Sequence, residues 1–167
     1  MLEFALFLFF PAAMALAGSM DFFTMTIPNR ITVGLVIGFV VVLPFAPPGW
    51  WGLASHLAAF ALMLVIGIFM FSQGWCGGGD AKLLAATALW LGLERLLDYL
   101  VIVSIAGGVL VFALLMYRAA SPPLFLLNQR WAMRLHEKAG GVPYGIALAI
   151  GGLWIYPTTT WLSQLAV

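Results

Sequence analysis

No charged side chain interrupts the chain from Trp51 to Phe71, or from Val142 to Val167. A helix crossing the hydrocarbon core of a bilayer needs about 20 mainly apolar residues, and both stretches are long enough. Elsewhere charge is also sparse, with seven basic and six acidic residues among 167, or 8%. A soluble domain carries about 25%, so an ordinary cytosolic globule is excluded and most of this chain belongs in lipid. A net charge of +1 is too small to imply a nucleic-acid partner. One cysteine excludes an intramolecular disulfide framework and a zinc site built on several thiolates. A membrane enzyme, a transporter or channel component, and a passive scaffold remain.

The scattered charges divide the sequence into six apolar segments, and the predicted fold is an all-α polytopic membrane protein of about six transmembrane helices. The segments are Met1 to Met20, Ile31 to Ala46 (ending at Pro47-Pro48), Trp51 to Phe71, Ala81 to Leu93, Leu96 to Tyr117, and Val142 to Val167. The first is read as a retained helix. Ala15-Leu16-Ala17 resembles a signal-peptide cleavage site, but the positive opening region of such a peptide is missing. The fourth segment is short, about 20 Å of helix at 1.5 Å per residue, against a core of about 30 Å. Either it continues past Glu94 and Arg95, or it starts below the interface and carries Asp80 into the membrane profile. Trp50 and Trp51 read as interfacial anchors.

With six spans, Arg30, Lys82, Arg118, Arg130, Arg134 and Lys138 fall on one side and only Arg95 on the other. The positive-inside rule makes the first side cytoplasmic, so both termini are expected outside. The chain reads as a single domain, 1–167, with a cytoplasmic amphipathic loop at about 118–141. There, Leu124, Leu127, Trp131 and Leu135 recur at helical spacing beside a stripe of Arg130, Arg134 and Lys138. That pattern predicts a helix lying on anionic lipid.

Glu3, Glu94, Asp98 and Glu137 read as solvated or paired interface charges. Asp21 ends the first helix and Asp80 opens the fourth, both at the cytoplasmic face. Ionisable groups at membrane depth are costly and tend to be functional, and a pair on one face strengthens that reading. Gly77-Gly78-Gly79 precedes Asp80 and permits close approach of another chain. Ile27-Pro28-Asn29 follows Asp21, and the proline breaks the chain before the second helix. His56 reads as hydrogen-bonded within the bundle, His136 as solvated, and Cys76 as an unpaired thiol that either lines the site or does not.

Asp21 with Ile27-Pro28-Asn29-Arg30, and Gly77-Gly78-Gly79-Asp80-Ala81-Lys82-Leu83-Leu84, resemble the two signature regions of type IV prepilin peptidases, GxGD-type intramembrane aspartyl proteases. Val142-Pro143-Tyr144-Gly145-Ile146-Ala147 resembles a third. Within that family the chain is similar to the short form that processes Flp-type pilins of tight-adherence systems. Long members add a cytoplasmic segment with paired cysteines and N-methylate the new pilin terminus. With Cys76 alone, those metal and methyltransferase features do not carry over.

The resemblance implies Asp21 and Asp80 as the catalytic pair, with Gly77, Gly78, Gly79, Pro28, Asn29 and Lys82 supporting the site or binding substrate. It implies no metal and no cofactor. The implied substrate is a membrane-inserted prepilin whose basic leader stays in the cytoplasm, cut after a glycine where leader meets apolar helix. The expected location is the bacterial inner membrane, with lipid as a further partner and no nucleic acid. Hydrolysis by two carboxylates needs one ionised, to deprotonate water, and one neutral, to donate a proton to the scissile carbonyl. Asp21 lies near a helix C-terminus and Asp80 at a helix N-terminus, so the helix dipoles favour Asp21 as acid and Asp80 as base. Lys82 either holds Asp80 or meets lipid phosphate. Asn29 either orients the Asp21 loop or starts the second helix. A rival class is a proton- or cation-coupled transporter component that uses the two aspartates as a relay. A third is a non-enzymatic assembly factor, which would tolerate loss of either carboxylate.

Overall fold

The computed structural model describes residues 2–122, 128–137, 141–159 and 161, and among these all regular structure is helical. The helices are α1 (Leu2–Thr24), α2 (Asn29–Val42), α3 (Gly49–Ser72), α4 (Gly78–Ala119), α5 (Arg130–His136) and α6 (Gly145–Ile155), with a 3-10 turn at Tyr156–Thr158. Helix α4 is two helices joined at Gly92, whose φ of 71° and ψ of 173° are not helical and are open essentially to glycine alone. The break comes before Glu94 and Arg95, so the first arm, 78–91, does not extend past them. The described residues thus contain six apolar helical segments: α1, α2, α3, the two arms of α4, and α6. Helix α3 and the merged α4 have the length and composition to cross a membrane. The expected sixth span is helical from Gly145 and described as far as Thr159, then at Trp161; the rest of it lies outside the described residues.

Contacts between the helices fix their directions. Phe10 stacks on Tyr156, while Gly18, nearer the end of α1, meets Ala149 and Gly145; α1 and α6 are therefore antiparallel. Gly151 meets Tyr99 and Val103, whereas Gly107 meets Tyr144 and Ala147, so the second arm of α4 runs antiparallel to α6. The first arm starts beside Ile27, which touches Gly79, and ends where His56 Nδ1 donates to the carbonyl of Leu89 at 2.8 Å. Hence α4 doubles back at Gly92, and both of its outer ends lie at one end of the bundle. Arg30, Lys82, Arg118, Arg130 and Arg134 gather there. Arg95 sits at the other end, 3.7 Å from Asp98. Lys138 is outside the described residues.

The far end is closed by an aromatic core. Trp90 is fully buried, and its Nε1 donates to the carbonyl of Leu35 at 2.9 Å. Trp161 Nε1 donates to the carbonyl of Trp90 at 2.8 Å. Phe39 meets both tryptophans edge-on. The outward faces are as apolar as the core: Val33, Ile37, Val65, Ile68, Val101, Ile105, Val109 and Phe112 are all more than half exposed. A soluble monomer rarely shows so extended an apolar surface; a bundle solvated by lipid requires one. The chain is an all-α polytopic membrane protein.

Helix α5 departs in part from the expected lipid-lying helix. Leu124 and Leu127 lie outside the described residues. Trp131 packs against Phe22 and Phe23 at the end of α1, and Tyr117 donates to the carbonyl of Ala132. Ala132 and Leu135 are buried in the bundle, while Arg130 and Arg134 remain exposed. Trp131 and Leu135, the described part of the apolar stripe, are used for protein packing. His136, expected to be solvated, is half-buried with its ring edge-on to Tyr117.

Candidate active site

Asp21 lies in the last turn of α1 and is 4% exposed. Its own carbonyl accepts from the amide of Met25 at 2.8 Å, with Met25 in the left-handed region at φ 55°; this stops the helix one turn after the carboxylate. Pro28, at φ −62° and ψ 137°, precedes the first residue of α2 and holds the turn extended. Asn29 therefore starts α2, the second of the two roles open to it. Its side chain has a further role: Lys82 Nζ donates to Asn29 Oδ1 at 2.9 Å. The lysine thus ties α4 to α2, a partner that neither sequence reading named.

Asp80 sits in the first turn of α4, and its Oδ2 accepts from the amide of Gly77 at 3.2 Å. This is the returning half of a capping box, an acidic side chain satisfying a free amide at the helix start. The glycine motif acquires a physical meaning here. Gly77 supplies the amide, and a Cβ on Gly79 would lie 3.1 Å from Cβ of Ile27, a tight contact, so glycine there lets the α1–α2 turn close against the start of α4. Gly78 packs more loosely, with ring carbons of Phe71 from 3.4 Å.

The two aspartates, 59 positions apart, meet at the start of α6. The amide of Gly145 donates to Asp21 Oδ2 at 2.7 Å and also interacts with the Asp80 carboxylate. The carboxylates are near enough to act on each other through space. A Cβ on Gly145 would lie 2.8 Å from Asp21 Oδ2 and 2.8 Å from Cδ1 of Ile27; any larger residue would push the pair apart. Gly145 belongs to the third motif but is not among the expected site residues. Its part is played by a backbone amide, which residue letters do not reveal; the signal available was its place in that motif.

Three other residues resolve at this end. Arg118 donates through Nε to the carbonyl of Leu135 and through Nη2 to that of Gly141, both at 2.8 Å, which anchors the segment leading into α6. Arg134 donates to the carbonyl of Phe23 at 3.3 Å. Cys76 is half-buried and shares with Asp80 the wall of a groove; burial, and then the Asp80 charge, push its thiol above the ordinary range. His56, at the far end, is the buried hydrogen-bonding residue expected of it.

A pair of close carboxylates beside one amide donor can divide a proton between them and activate a water. Comparison with known proteins gives the family. The chain is 27% identical over 151 residues to a prepilin leader peptidase/N-methyltransferase of Aeromonas salmonicida, and 28% identical over 153 residues to one of Aeromonas hydrophila. In both cases 84% of this chain is covered, but only 46% of the relative; the chain spans about half the length of these curated proteins. No solved structure matches it. A family model does, over residues 8–112, a stretch that holds Asp21, Pro28, Asn29, the glycine run and Asp80. The chain belongs to the type IV leader peptidase family.

Proposed function

We propose that this chain is an intramembrane aspartyl endopeptidase of the bacterial inner membrane. It removes the leader of type IV prepilins, of the Flp-like kind, at the cytoplasmic membrane face. The observation that carries the reading is the meeting of Asp21 and Asp80 at the Gly145 amide. Family membership and the likeness to prepilin leader peptidases supply the substrate class.

In the proposed reaction Asp80 takes a proton from a water molecule held between the carboxylates. The resulting hydroxide attacks the scissile carbonyl carbon, and Asp21 donates its proton to the carbonyl oxygen. Asp80 then passes the proton it took from water to the amide nitrogen while Asp21 recovers a proton from a hydroxyl of the tetrahedral diol, so the C–N bond breaks, leaving a new carboxyl group and a new amine with both aspartates in their starting states. The helix ends the aspartates occupy support this division of roles, because a helix N-terminus favours negative charge and a C-terminus disfavours it. Gly145 holds Asp21 in place. Gly77, Gly78, Gly79 and Pro28 shape the turns around the pair, and Lys82 with Asn29 locks them together. The basic residues clustered at the same end support a cytoplasmic position for it under the positive-inside rule, where a prepilin leader would arrive.

Cleavage of a prepilin by the purified chain in detergent tests this directly. Asp21→Asn and Asp80→Asn should each abolish cleavage while leaving membrane insertion intact, since asparagine keeps the shape but cannot exchange the proton. Appreciable cleavage by either variant would reject the two-carboxylate mechanism.

A further inference from the structure

One cavity runs from Asp80 into the membrane-embedded part of the bundle. It is a groove of about 710 Å³ between α3, the two arms of α4, and the start of α6. Asp80 and Cys76 stand at one end. From there it follows the second arm of α4 from Val111 to Leu100, about 16 Å at 1.5 Å per residue, or roughly three helical turns. Ile66, Ser104 and Gly108 on its walls are exposed, so it is open along its side as well as at its end. Asp80 is the one charged residue among those lining it.

We propose that this groove seats the apolar membrane helix of the substrate, with the chain leaving the groove at Asp80 to present its scissile bond; the proposal rests on the prepilin peptidase reading. Three features favour a peptide helix over a lipid tail. Gly107, Gly108 and Ser104 give one wall a small-residue surface on which a helix backbone can pack closely, the usual way helices associate in lipid. A Cβ on Gly108 would meet nothing within 4 Å, so that wall is unfilled by the protein itself. Met63 and Met70 on the facing wall are adaptable side chains that fit helices of differing shape. At the end of the groove an anionic lipid headgroup would face the Asp80 carboxylate and be repelled, whereas a peptide supplies amide donors and a basic leader. The groove also ends at Asp80, one of the two carboxylates that would cut its occupant, so docking and cleavage share one register: the length of helix seated fixes which bond reaches Asp80.

The test fills the groove and reads its occupancy from Cys76. Wild-type cleavage of a purified prepilin comes first, and its absence counts against the peptidase reading alone. Gly108→Trp should raise KM for that prepilin at least tenfold, with kcat within about twofold. Val109→Trp, on the exposed outer face of the same helix, should change neither. In wild-type protein the prepilin should slow alkylation of Cys76 by a maleimide at least fivefold, and in Gly108→Trp the prepilin should add no protection. The thiol titrates above the ordinary range, so the reaction is best followed at mildly alkaline pH. Unchanged KM in Gly108→Trp would overturn the proposal. So would equal protection of Cys76 by vesicles of anionic phospholipid without prepilin, which would make lipid the occupant.

Discussion

A methyl group on Gly145 would sit 2.8 Å from the oxygen of Asp21 that its amide binds. Adding that single carbon must displace the carboxylate or move the start of α6. An ångström of misplacement at a reacting group can cost about 100-fold in rate. Gly145→Ala should therefore lower kcat for prepilin cleavage by roughly that factor, with the protein still inserted and helical by circular dichroism. Cleavage within about threefold of wild type would show that the amide contact is dispensable. Asp21 and Asp80 were legible in the sequence because carboxylates are rare in so apolar a chain and these two fall at helix ends on one face. Gly145 was not, since its contribution is made by the backbone; only its place in the third motif pointed to it.

Element boundaries were legible where a charge or a proline marks them. The break between the fourth and fifth segments was expected around Glu94 and Arg95, and it falls at Gly92, because the backbone angles there require glycine. A Cβ on Gly92 would meet His56 and Ser55 at 3.3 Å as well as straining a φ of 71°. Gly92→Ala should destabilise the bundle by about 1–3 kcal/mol from backbone strain, with crowding against α3 added. Gly49, at φ 69° with nothing within 4 Å of its Cβ position, separates the two effects. Gly49→Ala should lower the apparent Tm in detergent, and Gly92→Ala should lower it further. Equal shifts would mean that the contact with His56 and Ser55 carries no weight. For α5 the periodic apolar stripe was legible but its partner was not, since a helix pattern does not say whether lipid or the aromatic end of α1 will cover it.

At the scale of the molecule, sidedness follows from charge. Six of seven basic residues were assigned to one side from the sequence, and the five with described positions gather at the end that holds the aspartates. A reporter fused at Ser121 should therefore report cytoplasm; an external signal would remove the aspartates from the leader's compartment. Chemistry at this scale is also constrained by what these 167 residues contain. With one cysteine they cannot build a multi-thiolate metal site, and the methyltransferase named for the relatives is not expected of them. Mass spectrometry of the cleaved product should show an unmodified amine even with a methyl donor added, and chelators should leave cleavage by the purified chain unchanged. A methylated product, or a metal requirement, would contradict these expectations.

The reversal of α4 at Gly92 also bears on how the protein enters the bilayer during synthesis. The first arm, 78–91, is about 21 Å long at 1.5 Å per residue, short of a core about 30 Å thick, and it carries both Asp80 and Lys82. Released alone from an insertion channel, it is a poor membrane segment. The second arm, 93–119, is long and apolar, with an outward face made for lipid. Joined by a single glycine, the two arms are best inserted as one hairpin, with the longer arm carrying the shorter one and its carboxylate into place. The two aspartates would then come together only once residues beyond Tyr117 have left the ribosome, and the Gly145 amide would join them later still.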